Sequence, residues 1–134
     1  MFEKKLVISV IAIFVVSMAL GFVIHGTILH GEYAKLPNLM RSESAMQSLM
    51  PLMMLANVIF AIGFSWIYVR GREAKPWLGQ GFRYGIAVAL LAVVPYYLIT
   101  YVVMPFPSDL VAQQITYDSL GAILMGIVVA WINR

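Results

Sequence analysis

The stretch LVISVIAIFVVSMALGFVIHGTIL, residues 6–29, contains no Asp, Glu, Lys or Arg. A helix needs about 20 such residues to cross a hydrocarbon core of about 30 Å. Three further apolar runs of similar length follow, at residues 48–69, 82–104 and 110–132. The runs are continuous and do not alternate, which favours helices over barrel strands. The sequence therefore predicts an all-α, integral membrane four-helix bundle that forms a single domain over residues 1–134.

The composition agrees with this class. The chain has 134 residues, of which 62% are hydrophobic and 11% charged, with a mean hydropathy of +0.89. Soluble domains carry about 25% charged residues, and a chain this short cannot bury so much apolar surface in one aqueous core. Cysteine is absent, which excludes disulfides, thiolate metal sites and cysteine nucleophiles. The net charge is +3, and the basic residues lie in short loops beside apolar runs. We therefore expect the partner to be the lipid bilayer and not a nucleic acid.

The distribution of basic residues predicts an orientation. If the N-terminus is cytoplasmic, seven of the nine Lys and Arg residues fall on the inner side: Lys4, Lys5, Arg70, Arg72, Lys75, Arg83 and Arg134. Such a bias indicates that both termini are cytoplasmic. Five aromatic residues are expected at the same interface: Trp66, Tyr68, Trp77, Tyr84 and Trp131.

The N-terminus also has features of a cleavable signal peptide. Lys4 and Lys5 precede an apolar stretch, and residues 17–19 are a possible cleavage site. The apolar run continues well past that site, which favours a retained helix.

Several residues predict helix ends and distortions. Ser44 with Gln47 fits a capping box for the second helix, and Ser108 fits the cap of the fourth. Pro95 removes a backbone hydrogen bond inside the third helix and predicts a kink. The segment 31–47 is expected to include a short surface helix.

Small residues recur at four-residue spacing on every predicted helix, which allows close approach of helices in lipid. The four sets are Ser17, Gly21 and His25; Asn57, Ala61 and Ser65; Gly81, Gly85 and Ala89; and Ala122, Gly126 and Ala130. They predict a compact bundle.

Polar residues at membrane depth are the candidate functional residues: Asp118, Gln114, Tyr97, His25 and Asn57. Asp118 lies about 13 Å along the fourth helix from Asp109, where a charge costs at least about 2.5 kcal/mol. It could bind a proton, a cation or a ligand. The favoured interpretation is a carboxyl group that accepts hydrogen bonds from tyrosine or glutamine and holds helices three and four together.

The stretch HGTILHGEY, residues 25–33, raises the question of a metal site. His25 and His30 are five residues apart and would not share a face of a continuous helix, whereas His25 and Glu32 would. We therefore predict no metal site or other cofactor, with His25 hydrogen-bonded inside the bundle and His30 in water.

Met46, Met50 and Met54 form the one other chemically suggestive pattern. Thioethers suit Cu(I), and the spacing resembles the Met-x-x-x-Met pair of eukaryotic trimeric copper importers over nine residues. Together with His25 or His30 as a further ligand, these methionines could form a copper site. The alternative is apolar filling, which is favoured and has Met50 packed against apolar neighbours from the first or third helix.

The second half of the chain carries a broader resemblance. KPWLGQGFRYGIAVALLAVVPYYLITYVV (75–103) and QITYDSLGAILMGIVVAWINR (114–134) resemble small four-helix proteins of bacterial inner membranes that have no known activity. The resemblance implies a bacterial inner-membrane location and assigns no functional residue.

Three functions remain in view. The first is an accessory or structural subunit that packs against itself, as a homo-oligomer, or against a larger membrane complex. The second is an oligomeric small transporter or channel that uses Asp118, and the third is Cu(I) handling at the outer methionines. No metal motif, catalytic triad spacing or phosphate loop is present, so we do not expect an enzyme.

Overall fold

The computed structural model describes residues 2–134, and side-chain surroundings from residue 4 onward. Over these residues the chain is helical and contains no strand. The α-helices are α1 (Phe2–Val23), α2 (His30–Ala34), α3 (Glu43–Ser48), α4 (Met50–Gly71), α5 (Trp77–Val88), α6 (Val94–Val103) and α7 (Ser108–Ile132). Two π-helical segments extend them: Ile24–Ile28 continues α1, and Ala89–Val93 joins α5 to α6.

Four stretches are long and apolar enough to cross a membrane: Lys4–Ile28, Met50–Gly71, Trp77–Val103 and Ser108–Ile132. The predicted all-helical fold with four such helices is therefore confirmed. The third span begins at Trp77 and not near residue 82, because Pro76 is its N-cap and the residues that follow are already helical.

The predicted helix caps are wrong in detail. The Oγ of Ser42, and not that of Ser44, accepts a hydrogen bond from the backbone N–H of Ala45 at 3.3 Å. Ser108 is the first residue of α7, whose N-cap is Pro107 and has no side-chain cap bond. The observed N-cap lies two residues before the predicted Ser44 in α3 and one residue before the predicted Ser108 in α7.

The predicted distortion at Pro95 and the predicted surface helix both have counterparts in the structure. The π-helical segment Ala89–Val93 ends immediately before α6, and Pro95 lies in the first turn of α6. A wider turn at this point leaves the missing N–H of proline outside the helical hydrogen-bond ladder. The segment 31–47 contributes to two short helices, α2 and α3, rather than one.

The helices pack as two close pairs, α1 with α4 and α5 with α7, joined by a contact between α1 and α7. The main buried cluster contains Ile13, Ala61, Phe64, Tyr68, Met125, Val129 and Ala130. A second cluster contains Ile24, Leu29 and Leu110.

Tyr68 is thus buried, and Tyr84 donates to the carbonyl of Phe64 at 2.6 Å. Both of these aromatic rings pack inside the bundle, whereas Trp66 and Trp131 are half exposed.

The bundle has two chemically different ends. We call one the basic end: it comprises the start of α1, the 71–76 loop and the end of α7. There Lys5 donates to the carbonyl of Arg134 at 3.4 Å, and Arg72 to that of Asn133 at 2.9 Å. The opposite histidine end comprises residues 24–49 and the 104–107 loop.

Glycines bring α5 and α7 into backbone contact near the basic end. A Cβ added at Gly81 would lie 2.6 Å from both the Ala130 Cβ and the Gly126 carbonyl oxygen, and one at Gly85 would lie 2.8 Å from the Ala122 oxygen. The predicted small-residue faces of these two helices therefore meet.

The predicted small-residue faces of α1 and α4 behave differently. A Cβ at Gly21 would have nothing within 4 Å, so this part of α1 is not a close contact. In α4, Ala61 and Ser65 are fully buried, whereas Asn57 donates to the Met53 carbonyl of its own helix at 2.9 Å.

Candidate functional site

Asp118 lies inside the bundle at the level of the histidine end. It is ten residues after Ser108, or about 15 Å along α7. Its carboxylate accepts a hydrogen bond from the hydroxyl of Tyr97 on α6, and its two oxygens lie 3.1 and 3.2 Å from the Nε2 atom of His25. The side chain of Asp118 is 21% exposed and that of His25 is 33% exposed. The partly buried carboxylate is therefore matched by donors from two other helices.

The π-helical segment Ile24–Ile28 positions His25. Single π-helical turns occur frequently at functional sites, because the wider turn changes the direction in which a side chain points. After this segment the helix ends at the fully buried Leu29, and the chain turns there into α2. This turn places Tyr33 against the imidazole: its hydroxyl is 2.6 Å from His25 Nδ1, and the two rings stack with centroids 5.9 Å apart.

Gln114 completes the group. It lies one helical turn before Asp118 on α7, is buried, and donates from Nε2 to the Tyr33 hydroxyl at 3.0 Å. Burial raises the pKa of Tyr33, the Gln114 hydrogen bond lowers it by a smaller amount, and the Asp118 charge raises it further. We call Gln114, Tyr33, His25, Asp118 and Tyr97 the polar network.

One assignment of hydrogens satisfies every bond of the polar network. Gln114 donates to the Tyr33 oxygen, Tyr33 donates to His25 Nδ1, His25 donates from Nε2 to Asp118, and Tyr97 also donates to Asp118. This tautomer is assigned from the network. A second proton on His25 would leave the Tyr33 hydroxyl without an acceptor among these five residues.

Four of the five intramembrane residues predicted from the sequence thus meet in one site: Asp118, Gln114, Tyr97 and His25. The fifth, Asn57, does not join them, since its amide bonds to its own helix. Gln114 reaches Asp118 through Tyr33 and His25, and not by the direct hydrogen bond that the sequence suggested.

Sequence reasoning missed Tyr33. It treated the chain after His25 as a continuing helix, which would put Glu32 on the face of His25. The break at Leu29 makes that geometry wrong: Tyr33 meets His25, and Glu32 faces Lys35 at 3.4 Å. An aromatic residue eight positions beyond the histidine is the only available signal, and it has no meaning until the turn is known. His30 begins α2 and is exposed, as expected.

The methionines are placed on two helices. Met46 lies on α3, while Met50 and Met54 lie on α4, beyond the helix break at Leu49. All three are exposed, and Met50 belongs to neither buried cluster. Both ring nitrogens of His25 are occupied by Tyr33 and Asp118. Among the described residues no three His, Asp or Glu side chains form a group that could hold a metal ion.

The chain matches no protein-family model, no curated protein and no solved structure. Its own residues therefore carry the functional inference.

Proposed function

We propose that this chain is a multi-pass protein of the bacterial inner membrane, with both termini cytoplasmic, that serves as an accessory subunit. It packs in the bilayer against a second copy or a larger membrane complex. The charges support the orientation: the segments of the basic end, together with Arg70 in the last turn of α4 and Arg83 in the second turn of α5, hold seven basic and two acidic residues, and the rest of the chain holds two basic and four acidic residues. A basic excess of this kind is typical of cytoplasmic loops.

The exposed surface of the third span supports the accessory role. In the most apolar 18-residue stretch of this span, 6% of the residues are buried, whereas the corresponding values for the other three spans are 17%, 28% and 33%. The exposure is greatest in α6, where Val102 is 85% exposed. The polar network holds α6 through the hydroxyl of Tyr97 and leaves the opposite side of the helix uncovered.

Tyr96 distinguishes a protein partner from lipid at this surface. It is 62% exposed and lies about 12 Å along α6 from Met104. Within residues 4–134 its hydroxyl has no hydrogen-bond partner. A phenol that faces hydrocarbon without an acceptor is costly, and a neighbouring protein helix would supply the acceptor that lipid tails lack.

The absence of cysteine allows a direct test. A photo-activatable cross-linker is attached to Val102→Cys in native membranes. The matched control is Leu52→Cys on α4, which also lies near the histidine end of the bundle and is 62% exposed. We expect one defined cross-linked product with Val102→Cys and none with Leu52→Cys. Its mass tells a second copy from a different chain. Equal or no cross-linking at the two positions, with a monomer in mild detergent, contradicts the accessory role.

The polar network also favours a second candidate, an oligomeric small transporter or channel that uses Asp118. Its hydroxyl, imidazole and carboxylate groups form a chain of exchangeable protons, and His25 and Asp118 are partly exposed. Proton relays in membrane transporters use such groups. Reconstituted vesicles would then show proton or cation flux that Asp118→Asn abolishes. Absence of an Asp118-dependent flux excludes this candidate.

A further inference from the structure

An open cleft of about 660 Å³ lies at the basic end, between the 71–76 loop, the start of α5 and the end of α7. Its volume falls within the range of about 300–1,000 Å³ that is usual for small-molecule sites. The polar and aromatic side chains that line it include Tyr68, Arg72, Lys75, Trp77, Gln80 and Arg134.

The walls of the cleft are held by hydrogen bonds. Arg72 donates to the backbone oxygen of Asn133 at 2.9 Å, and the buried Asn133 amide donates to the Ser9 hydroxyl at 2.9 Å. The Gln80 amide oxygen accepts a hydrogen bond from the backbone N–H of Glu73 at 2.5 Å, and the Gln80 amide nitrogen donates to the Glu73 carbonyl at 3.1 Å. The loop is thus fixed to α5 and to the end of α7, which positions the Arg72 guanidinium before any ligand arrives.

The charge of the lining is positive. Three cations, Arg72, Lys75 and Arg134, face one acid, Glu73, which pairs with Lys75 at 2.8 Å. The bond to Asn133 uses one nitrogen of the Arg72 guanidinium, which leaves further N–H groups as donors. A guanidinium fork matches the oxygens of a phosphate. The indole of Trp77 adds an apolar surface beside these charges.

The position of the cleft identifies the source of the phosphate. It opens where three apolar spans end, at the level at which lipid headgroups meet water if these spans cross a membrane. Basic pockets between helices on the cytoplasmic side bind anionic headgroups. We propose that this cleft binds the phosphate group of an anionic phospholipid from the surrounding leaflet. The proposal requires that the four helices span a membrane, and it does not depend on the accessory role.

Native mass spectrometry of the full chain tests the proposal. The protein in mild detergent is mixed with equal amounts of phosphatidylglycerol and phosphatidylcholine. We expect the wild type to retain one phosphatidylglycerol in preference. Each basic residue near the surface contributes about fivefold in affinity, so Arg72→Gln with Lys75→Gln should lower the preference about 25-fold. The matched control, Lys35→Gln with Arg41→Gln, removes two charges from the histidine end and should leave the preference unchanged.

A single variant guards against loss of the fold, because Arg72 also holds Asn133. The contact of Lys75 is with the exposed Glu73, so Lys75→Gln should keep the wild-type circular dichroism and lower the preference about fivefold. Inorganic phosphate provides the third arm: if it displaces the lipid at equal concentration, the site takes free phosphate and the proposal is overturned. Equal retention of the two lipids, or an equal loss in the control pair, overturns it as well.

Discussion

The two halves of the third span contact α7 by different means. In α5, Gly81 and Gly85 bring the backbone against Gly126 and Ala122, with no space for a Cβ. In α6 the contact to α7 runs through side chains, from the Tyr97 hydroxyl to the Asp118 carboxylate. Lipid tails are as apolar as the helix surfaces, so the hydrophobic effect does not drive helices together in a bilayer. Close backbone packing and interhelical hydrogen bonds are two of the means that remain, and this span uses one in each half.

The π-helical segment Ala89–Val93 and Pro95 separate the two halves. Before them the helix lies against α7 along its glycines, and beyond them α6 is largely exposed. A glycine contact is therefore destabilised by any added atom, whereas a polar contact is destabilised by the loss of a donor or acceptor. Substitutions in the two halves should therefore destabilise the protein by different mechanisms and by different amounts.

The largest effect is expected at Gly85. In Gly85→Ala the new Cβ overlaps the backbone of Ala122 and Ile123, and backbone atoms cannot move aside as a flexible side chain does. We expect a loss of about 3 kcal/mol in the free energy of unfolding, at the upper end of overpacking costs. Unfolding in mixed micelles, followed by circular dichroism, measures it. The control is Gly63→Ala on α4, where a Cβ meets nothing within 4 Å, and equal stability of the two variants would refute the backbone contact.

Asp118→Leu should have the next largest effect. It leaves the donors on Tyr97 and His25 without an acceptor, at about 1 kcal/mol for each hydrogen bond, or about 2 kcal/mol in total. Asp118→Asn keeps an acceptor oxygen and should cost less than about 1 kcal/mol. The same micelle titration compares the two variants. Loss of function in a stable asparagine variant would contradict a purely structural role, because asparagine cannot carry a proton.

Tyr33→Phe should cost about 1 kcal/mol, since it removes the hydroxyl that joins His25 to Gln114. Unfolding of the variant at neutral pH measures this effect. The matched control is Tyr101→Phe at the exposed end of α6, which should change stability by less. If the two variants are equally stable, the His25–Tyr33 hydrogen bond does not hold α2 in place.

Tyr33 also predicts a pH dependence. Burial raises its pKa above the ordinary value of 10.0, so the folded protein keeps this proton at a pH where the unfolded chain has lost it. The stabilisation is fully present below pH 10.0 and is lost as the pH rises through the folded pKa. The difference in phenolate absorbance between the wild type and Tyr33→Phe should therefore titrate above 10.0. A difference that titrates at or below that value would show that Tyr33 is not buried.

The smallest effect is expected at Gly21. The sequence placed it on a close-packing face of α1, yet a Cβ there meets nothing within 4 Å. Gly21→Ala should change the free energy of unfolding by less than about 1 kcal/mol, with any gain coming from helix propensity. Thermal unfolding in detergent measures it. A loss as large as that of Gly85→Ala would mean that α1 is packed as closely as α5.

The candidate site shows how far sequence reasoning extends. An acid at membrane depth is conspicuous, and Asp118 with Tyr97, Gln114 and His25 could be selected on polarity alone. Their pairing could not, since polarity does not say which helix lies beside which. Tyr33 was missed for a related reason: the break at Leu29 depends on its burial between Ile24 and Leu110, residues that are far apart in sequence.

The sequence by itself determined the all-helical class, the number of helices long and apolar enough to cross a membrane, and the asymmetry of charge between the two ends. Apolar length and loop charge are local quantities, and the cost of unpaired backbone groups in lipid leaves a continuous apolar run little choice but a helix. It also marked the small residues of α5 and α7 that meet in the structure.

The tertiary structure alone decided which faces meet, which polar groups pair and where the helices depart from α geometry. Four apolar helices can pair in several ways with similar burial, because lipid covers any surface that remains exposed. The choice depends on the fit of Gly85 and Gly126 across one interface and on the donors that face Asp118 across another. Those are relations between residues distant in sequence, so they exist only once the chain is folded.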